Sequence, residues 1–484
     1  MPSAGLLDLV AHGVQDVYLI GNPQMTFFKA VYKRHTNFVM ESVQGTFDGT
    51  QNWGNRIVCR VPRTGDLLHT VIVEFDLPEL TATGSDSQYS IKYIPNIGQA
   101  LIEYFELKIG GQTIDKQYGE WMYIWNELTL SDEKKRAFYE MTKSEAQNGP
   151  FTCYVPLQLW FCRNIGNALP LVALQYHDVD IEIVLRPLNQ LYYFGQARYY
   201  DLTKVPYTGI PPAPGFIYDR GTSGQAFSPN INGKLLNYNN GTFAANITYL
   251  SSPTQIALDT DIVASIGDTA TRVYVSPGYS LVGSPTINEI RIYLDYIYLD
   301  TYERKYFAQA KHRYLIEQIQ ATGQVGISPV ETSTKVSLDF NLPVKELFWT
   351  VQTQENLQNN ELLNFLSTPD PVYERATDII TSMTITYNGS QRFSPRRGEY
   401  FRLIQPFQRH TNPGVFDKYI YVYSFAIHPE ELQPSGASNY SKIDTVDFQL
   451  QLNQTHPASV IRIYALNYNV LRIMNGMGGI AFLN

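Results

Sequence analysis

Little in this chain invites chemistry. Three cysteines, Cys59, Cys153 and Cys162, are an odd number in 484 residues. That argues against a disulfide framework and for folding in a reducing compartment. Basic residues are outnumbered, with 37 Lys and Arg against 45 Asp and Glu and a net charge of −8. Coating nucleic acid by phosphate neutralisation needs the opposite balance, so no direct sequence-specific nucleic-acid binding is expected. The start, Met1 to Gly5, has no basic leader, and Asp8, His12 and Asp16 interrupt the next segment. No run reaches the roughly 18 uninterrupted apolar residues of a membrane span. Together these absences point to synthesis in a cytosol.

Catalytic patterns are equally scarce. The eight histidines include no pair at metal-ligand spacing, and no C-x-x-C, H-E-x-x-H, G-x-S-x-G or P-loop occurs. His177-Asp178 imitates a base and its orienting partner, but it stands at the entrance to a strand. Asp180 and Glu182 point to one strand face, as a glycosidase pair must, yet alternating charge is also the ordinary pattern of a wet face. Gly476-Met477-Gly478-Gly479 has no helix after it to cradle a phosphate. Two basic clusters, Arg396/Arg397/Arg402 and Arg304/Lys305/Lys311/Arg313, mix with aromatics, which can bind single strands. Glu303, Glu317 and Glu399 beside them favour inter-subunit ion pairs or a solvated face. The sequons at Asn240, Asn246, Asn388, Asn439 and Asn453 read as chance matches. No catalytic, cofactor-binding or metal-ligating residue is assigned.

What the chain has is alternation. Val71, Val73, Phe75 and Leu77 occupy alternate positions with Glu74 and Asp76 between them, as do Phe105, Leu107 and Ile109 with Glu106 and Lys108, and Ile181, Ile183 and Leu185 with Asp180 and Glu182. Met383, Ile385 and Tyr387 repeat the pattern, as do Tyr419 to Ile427 and Val446 to Leu452. Each predicts a strand with one buried and one wetter face. Gly110-Gly111 and Asn388-Gly389 follow strong strands, where residues must take positive φ. Helices are few. Trp121, Ile124, Trp125 and Leu128 share one helical face, Ser131 to Glu133 opens a second helix, and a third is expected over about 301–318. Tyr and Phe are abundant (35 and 24), which suits strands and large contact surfaces.

A repeat is visible. Val179–Leu185 resembles Val446–Leu452, with Asp180 and Asp447 standing 267 positions apart. The turn glycines Gly111 and Gly389 stand 278 apart. Two near-equal offsets predict two copies of one β domain. The expected division is an N-terminal arm at 1–24, a first sandwich at 25–205, a linker with insertion loops at 206–285, and a second sandwich with its tail at 286–484. The linker is placed near Pro206–Pro214, and one strand of the insertion near Thr271–Val275. Leu6, Leu9, Val10 and Val17 give the arm an apolar helical side. It either docks on the first domain or reaches a neighbouring subunit or an underlying surface.

Longer blocks carry a resemblance. Leu6-Leu7-Asp8-Leu9-Val10-Ala11-His12-Gly13 runs through Tyr18-Leu19-Ile20-Gly21-Asn22-Pro23 into Thr26-Phe27-Phe28-Lys29 and Tyr32-Lys33-Arg34-His35-Thr36-Asn37-Phe38. Asp295 to Arg304, Pro343-Val344-Lys345-Glu346-Leu347 and the tail Leu471 to Gly479 continue it. This is similar to the major capsid proteins of the nucleocytoplasmic large DNA viruses (iridoviruses, marseilleviruses, phycodnaviruses and relatives). The resemblance implies an all-β fold of two consecutive eight-stranded jelly rolls (β-sandwiches) with a few short helices in loops. It implies a homotrimeric, pseudo-hexagonal capsomer in an icosahedral virion shell assembled in the host cytoplasm. The partners it implies are neighbouring capsomers, minor capsid and penton proteins, and an internal viral membrane reached by the arm. The alternatives from other classes are a jelly-roll receptor- or carbohydrate-binding virion surface protein and a β-sandwich glycoside hydrolase.

Overall fold

The hairpin Ile102–Ile109/Gln112–Tyr118 turns at Gly110 and Gly111, with φ of +58° and +81°. Its later counterpart turns at Asn388 and Gly389, with φ of +48° and +81°. These are the left-handed positions that Gly and Asn tolerate, and they set the register of the strands on either side. The computed structural model describes residues 6, 9–82, 91–194, 199–204, 216–219, 235–238, 243–252, 255–258, 270–276, 281–366, 378–412, 418–454 and 456–482. The expected linker Pro206–Pro214 and the start Met1–Gly5 lie outside the described residues.

The two hairpins occupy equivalent places in two sandwiches. In the first, one sheet runs in the order Arg56–Arg60, Val179–Leu185, Ile102–Ile109, Gln112–Tyr118. In the second, the order is Ser333–Ser337, Val446–Leu452, Ile380–Tyr387, Ser390–Gln391. The facing sheets also correspond. Phe38–Gly45, Glu289–Leu299, Leu67–Leu77 and Phe151–Pro156 lie side by side in the first. His312–Ala321, Ser459–Met474, Pro343–Thr353 and Ile420–Ser424 do so in the second. Each of these sheets has a main path of four strands in one order throughout, with short extra strands paired beside three of them, and together they make two eight-stranded jelly rolls. The repeated segments Val179–Leu185 and Val446–Leu452 fall on the same strand of each.

Each sandwich closes over its own core. Val71, Val73, Phe75, Phe105, Leu107, Ile181 and Ile183 are buried in the first. Leu347, Trp349, Ile385, Tyr421, Phe448, Leu450 and Ile463 are buried in the second. The alternating residues of the sequence supply both, at about 1.5–3 kcal/mol for each large apolar side chain removed from water.

Strand pairing moves several expected boundaries. Residues 25–37 hold no strand; the first is Phe38–Gly45. Glu289–Leu299, expected in the second sandwich, pairs with Phe38–Gly45 and Leu67–Leu77 of the first. The insertion therefore sits inside the first jelly roll, between its last two strands. There the backbone forms a closed barrel, in the order Tyr199–Lys204, Phe216–Asp219, Gln255–Leu258, Phe243–Ser252, Leu235–Tyr238, Ala270–Ser276. That replaces the expected loops, because closure pairs both edges of every strand. The third helix stops at Gln309, and His312–Ala321 is a strand paired along its whole length with Ser459–Met474. That pairing outweighs the helical spacing of Phe307, Ala310 and Tyr314. The helix starts on Asp300, whose Oδ1 accepts from the Tyr302 and Glu303 amides at 3.0 and 2.9 Å. Ser131 does occupy the position before Asp132–Thr142, but its side chain makes no capping bond.

Candidate functional site: seams and exposed apolar surface

The sequence candidates for chemistry resolve into structural contacts. Glu182 is held by Arg56 at 2.5 Å and Lys108 at 2.6 Å, and Asp180 by Arg60 at 3.0 Å. Each acid is tied to a base on a neighbouring strand. Asp178 pairs with Arg63 at 3.0 Å. His177 turns elsewhere: its Nδ1 lies 2.9 Å from the Gly478 carbonyl oxygen. The Gly-rich tail is thus a docking hairpin. Asn475 and Gly476 make its turn at φ of +54° and +79°. A Cβ at Gly478 would come within 2.7 Å of Leu174 in the first sandwich. Arg402 is clamped by Asp378 at 2.7 Å and Arg304 by Asp66 at 2.9 Å, while Arg396 and Arg397 stay exposed. Among the described residues no group of three His, Cys, Asp or Glu side chains is placed to hold a metal ion. The cysteines are unbridged, and burial pushes the Cys59, Cys153 and Cys162 thiols up to about 12.

The tertiary structure assembles instead a seam between the sandwiches. The helix Gly119–Thr129 leaves the first sandwich right after its hairpin and is buried over most of its length. Trp121, Ile124, Trp125 and Leu128 pack on Phe348, Ile420, Val422, Tyr464 and Leu466 of the second. Trp121 meets Phe348 edge-on with ring centroids 4.9 Å apart. This cover explains a departure from expectation. Ile420, Tyr421 and Val422, in a row expected to have one wetter face, are buried on both, and the neighbouring strand Pro343–Thr353 is buried on both as well. Polar ties flank the helix: Glu120 accepts from Arg462 at 2.8 Å and from Thr350 Oγ1 at 2.9 Å. Arg163 reaches Glu317 at 2.8 Å and lies 4.3 Å from the Trp125 ring centroid. At the helix end, the Leu128 and Glu127 carbonyls accept from the Asn412 amide (3.0 Å) and Nδ2 (3.1 Å). That satisfies acceptors a helix terminus otherwise leaves open.

The Asn412 segment is pinned by a buried ion triad. His410 Nε2 lies 3.0 Å from Glu346, and Nδ1 lies 3.0 Å from Glu430. Burial lowers the imidazole pKa, but the two carboxylates outweigh it and raise it to about 9. The ring is therefore a cation at neutral pH, donating from both nitrogens. Beside it, Lys345 is buried and paired with Glu317. Nothing local in the sequence marks this triad, since positions 346, 410 and 430 meet only in the fold. A hollow of about 70 Å³ lined by Trp125, Trp160, Arg163, Glu317 and Glu430 opens beside the seam. That is far below the roughly 300–1,000 Å³ of small-molecule pockets.

The other feature is a surface without cover. The described residues of the arm do not dock on the rest of the chain. Leu9, Val10, Val14, Leu19, Phe27, Phe28, Val31 and Tyr32 are all exposed, Phe28 at 97%. The apolar stretch continues through Phe38, Val39 and Met40 on the edge strand of the first sandwich. Apolar side chains exposed at this density, though interrupted by Lys29, Lys33, Arg34 and His35, are more than a monomer's surface ordinarily carries.

Residues 26–210 match the family described as "Major capsid protein N-terminus", and residues 303–479 match "Large eukaryotic DNA virus major capsid protein". The chain is 36% identical to the major capsid protein of Pyramimonas orientalis virus, over 99% of each. It is 32% identical to that of Phaeocystis pouchetii virus, over 100% of each. A solved chain of the PBCV-1 virus capsid superposes with a TM-score of 0.65 at 28% identity, covering 95% of this chain and 100% of that one. Two jelly rolls locked by a buried helix, an uncovered apolar arm and full-length kinship at this level place the chain in the major capsid protein family of large eukaryotic DNA viruses, as a structural component of the virion and not an enzyme.

Proposed function

We propose that three copies of this chain form a pseudo-hexagonal homotrimer that tiles the faces of an icosahedral shell. The observation that carries this reading is the duplication. One chain holds two sandwiches of identical strand order fixed to each other by a buried seam. Three such chains supply six equivalent sandwiches around one axis, the outline needed to pack without gaps. The chain divides into an arm, a first jelly roll carrying the barrel insertion, and a second jelly roll. The exposed arm serves as the contact to minor capsid proteins or to an internal membrane beneath the shell, with penton proteins at the vertices. Neighbouring capsomers meet through weaker contacts, so misplaced units can leave during growth. Unbridged cysteines suit assembly in the host cytoplasm.

Light scattering of the purified protein tests the trimer: the expected mass is about three times the 55.1 kDa chain. Negative-stain images should show a hexagonal outline. A monomer or dimer without that outline overturns the proposal.

A further inference from the structure

The seam inside one chain has an unfilled counterpart. In the first sandwich, the helix Gly119–Thr129 follows the hairpin strand Gln112–Tyr118 and covers the outward face of the second sandwich. The second sandwich carries a helix in the equivalent place. Arg396 and Arg397 pair with Met383 and Ser382 as the continuation of its hairpin strand, and the helical stretch Tyr400–Arg409 follows. Gly119 and Tyr400 stand 281 positions apart, close to the repeat spacing. This second helix rests Phe401, Gln405 and Pro406 on its own sandwich. It turns Leu403, Ile404 and Phe407 outward, with Phe407 at 74% exposure. In the first helix, the outward residues are the buried tryptophans of the seam.

The receiving face shows the same asymmetry. In the second sandwich, Thr350 pairs with both Arg462 and Ile420, and this outward row is buried under the first helix. In the first sandwich, Glu74 pairs with both Arg291 and Tyr154 in the equivalent row. That row is only partly covered: Glu74 is buried and Arg291 half-buried, while Tyr154 is exposed, and Ile72 and Tyr293 of the adjoining row are half-buried. Acids outnumber bases on it: Arg291 pairs with both Glu74 and Glu289, and Asp76 lies beside them. The base of the second helix is basic, with Arg392, Arg396 and Arg397 all exposed.

We infer that the helix Tyr400–Arg409 of one copy docks on the outward Ile72–Tyr154–Tyr293 face of the first sandwich in the next copy. This repeats between chains the contact that Gly119–Thr129 makes within one. The occupant is a second copy of this chain because only that copy presents the same face in the same relation to its own sandwich. The contact is heterologous, head to tail, and three of them close a ring of six sandwiches. It also brings the exposed Arg396 and Arg397 toward a face on which acids outnumber bases.

The inference rests on the proposed trimer, and its test separates the two. Wild-type protein, Phe407→Asp and the pair Leu403→Asp/Ile404→Asp are measured by light scattering over a dilution series, with thermal unfolding as a check on the fold. The outward side chains contribute little inside a single chain, so the unfolding midpoint of the isolated protomer should hold. The trimer dissociation midpoint should shift to at least tenfold higher concentration. A second measurement uses Phe407→Cys combined with Tyr154→Cys under mild oxidation. The native thiols Cys59 and Cys153 are buried and leave a silent background, and Cys162→Ser removes the half-buried third. A disulfide-linked ladder up to three chains supports the contact. A wild-type trimer whose Phe407→Asp form stays trimeric, with no ladder, overturns this inference and leaves the trimer standing. A wild-type monomer overturns both.

Discussion

The His410 triad gives a quantitative expectation. A free imidazole titrates near 6.5, and in the fold Glu346 and Glu430 hold His410 at about 9. The folded value is raised, so the triad's contribution is fully present below pH 6.5. It is lost as pH rises through 9. At about 1.4 kcal/mol per pH unit, the gap corresponds to about 3 kcal/mol. His410→Gln keeps one donor and removes the charge, leaving Glu346 buried without its cation. The expected result is a destabilisation of about 3 kcal/mol at pH 6, shrinking steadily between pH 7 and 9 and levelling above pH 10. The assay is guanidinium unfolding of both proteins, followed by tryptophan fluorescence, at pH 6, 8 and 10. Other titrating groups are common to both proteins and cancel in the difference. A difference that stays flat from pH 6 to 10 refutes the reasoning, because it places the proton on Glu346 instead of the ring.

Asp115 behaves in the opposite sense. Burial raises its carboxyl to about 6 despite bonds from Gln117 and the Ile319 amide. The folded state therefore bears a cost above pH 6, and Asp115→Asn should gain about 1–3 kcal/mol at pH 8 and nearly nothing at pH 4 by chemical denaturation. Trp121→Ala empties the centre of the seam, and a loss of about 3–5 kcal/mol is expected. Calorimetry should then show the two sandwiches melting separately. Among the described side chains of 1–37, all but the half-buried Asp16 are exposed, so deleting 1–37 should change the unfolding free energy by less than about 0.5 kcal/mol. Particle formation, scored by electron microscopy, should fail.

Legibility tracks the distance between a residue and the cause of its state. Alternation at Val71–Leu77 and Val446–Leu452, and the positive-φ turns at Gly111 and Gly389, depend on neighbours in the chain and are readable directly. The face of Ile420–Ser424 is dry because a helix some 300 positions earlier lies on it, so local alternation misreads it as half wet. His312–Ala321 is helical by spacing and a strand by pairing with Ser459–Met474. The tail glycines and His177 look like separate candidates for chemistry, and only the fold shows them meeting.

The order of residues alone establishes the class of fold, its duplication, and kinship along nearly the full length. Those rest on short-range period, on turn residues and on long matched blocks. It takes the folded chain to show that Glu289–Leu299 completes the first sandwich, that the insertion closes as a barrel, and that His410 is a buried cation. Only there does the first helix find a sheet to cover while the described arm and the outward side of the second helix stay bare. The reason is physical: pairing, burial and charge neutralisation are settled by groups hundreds of residues apart, and no local pattern carries them.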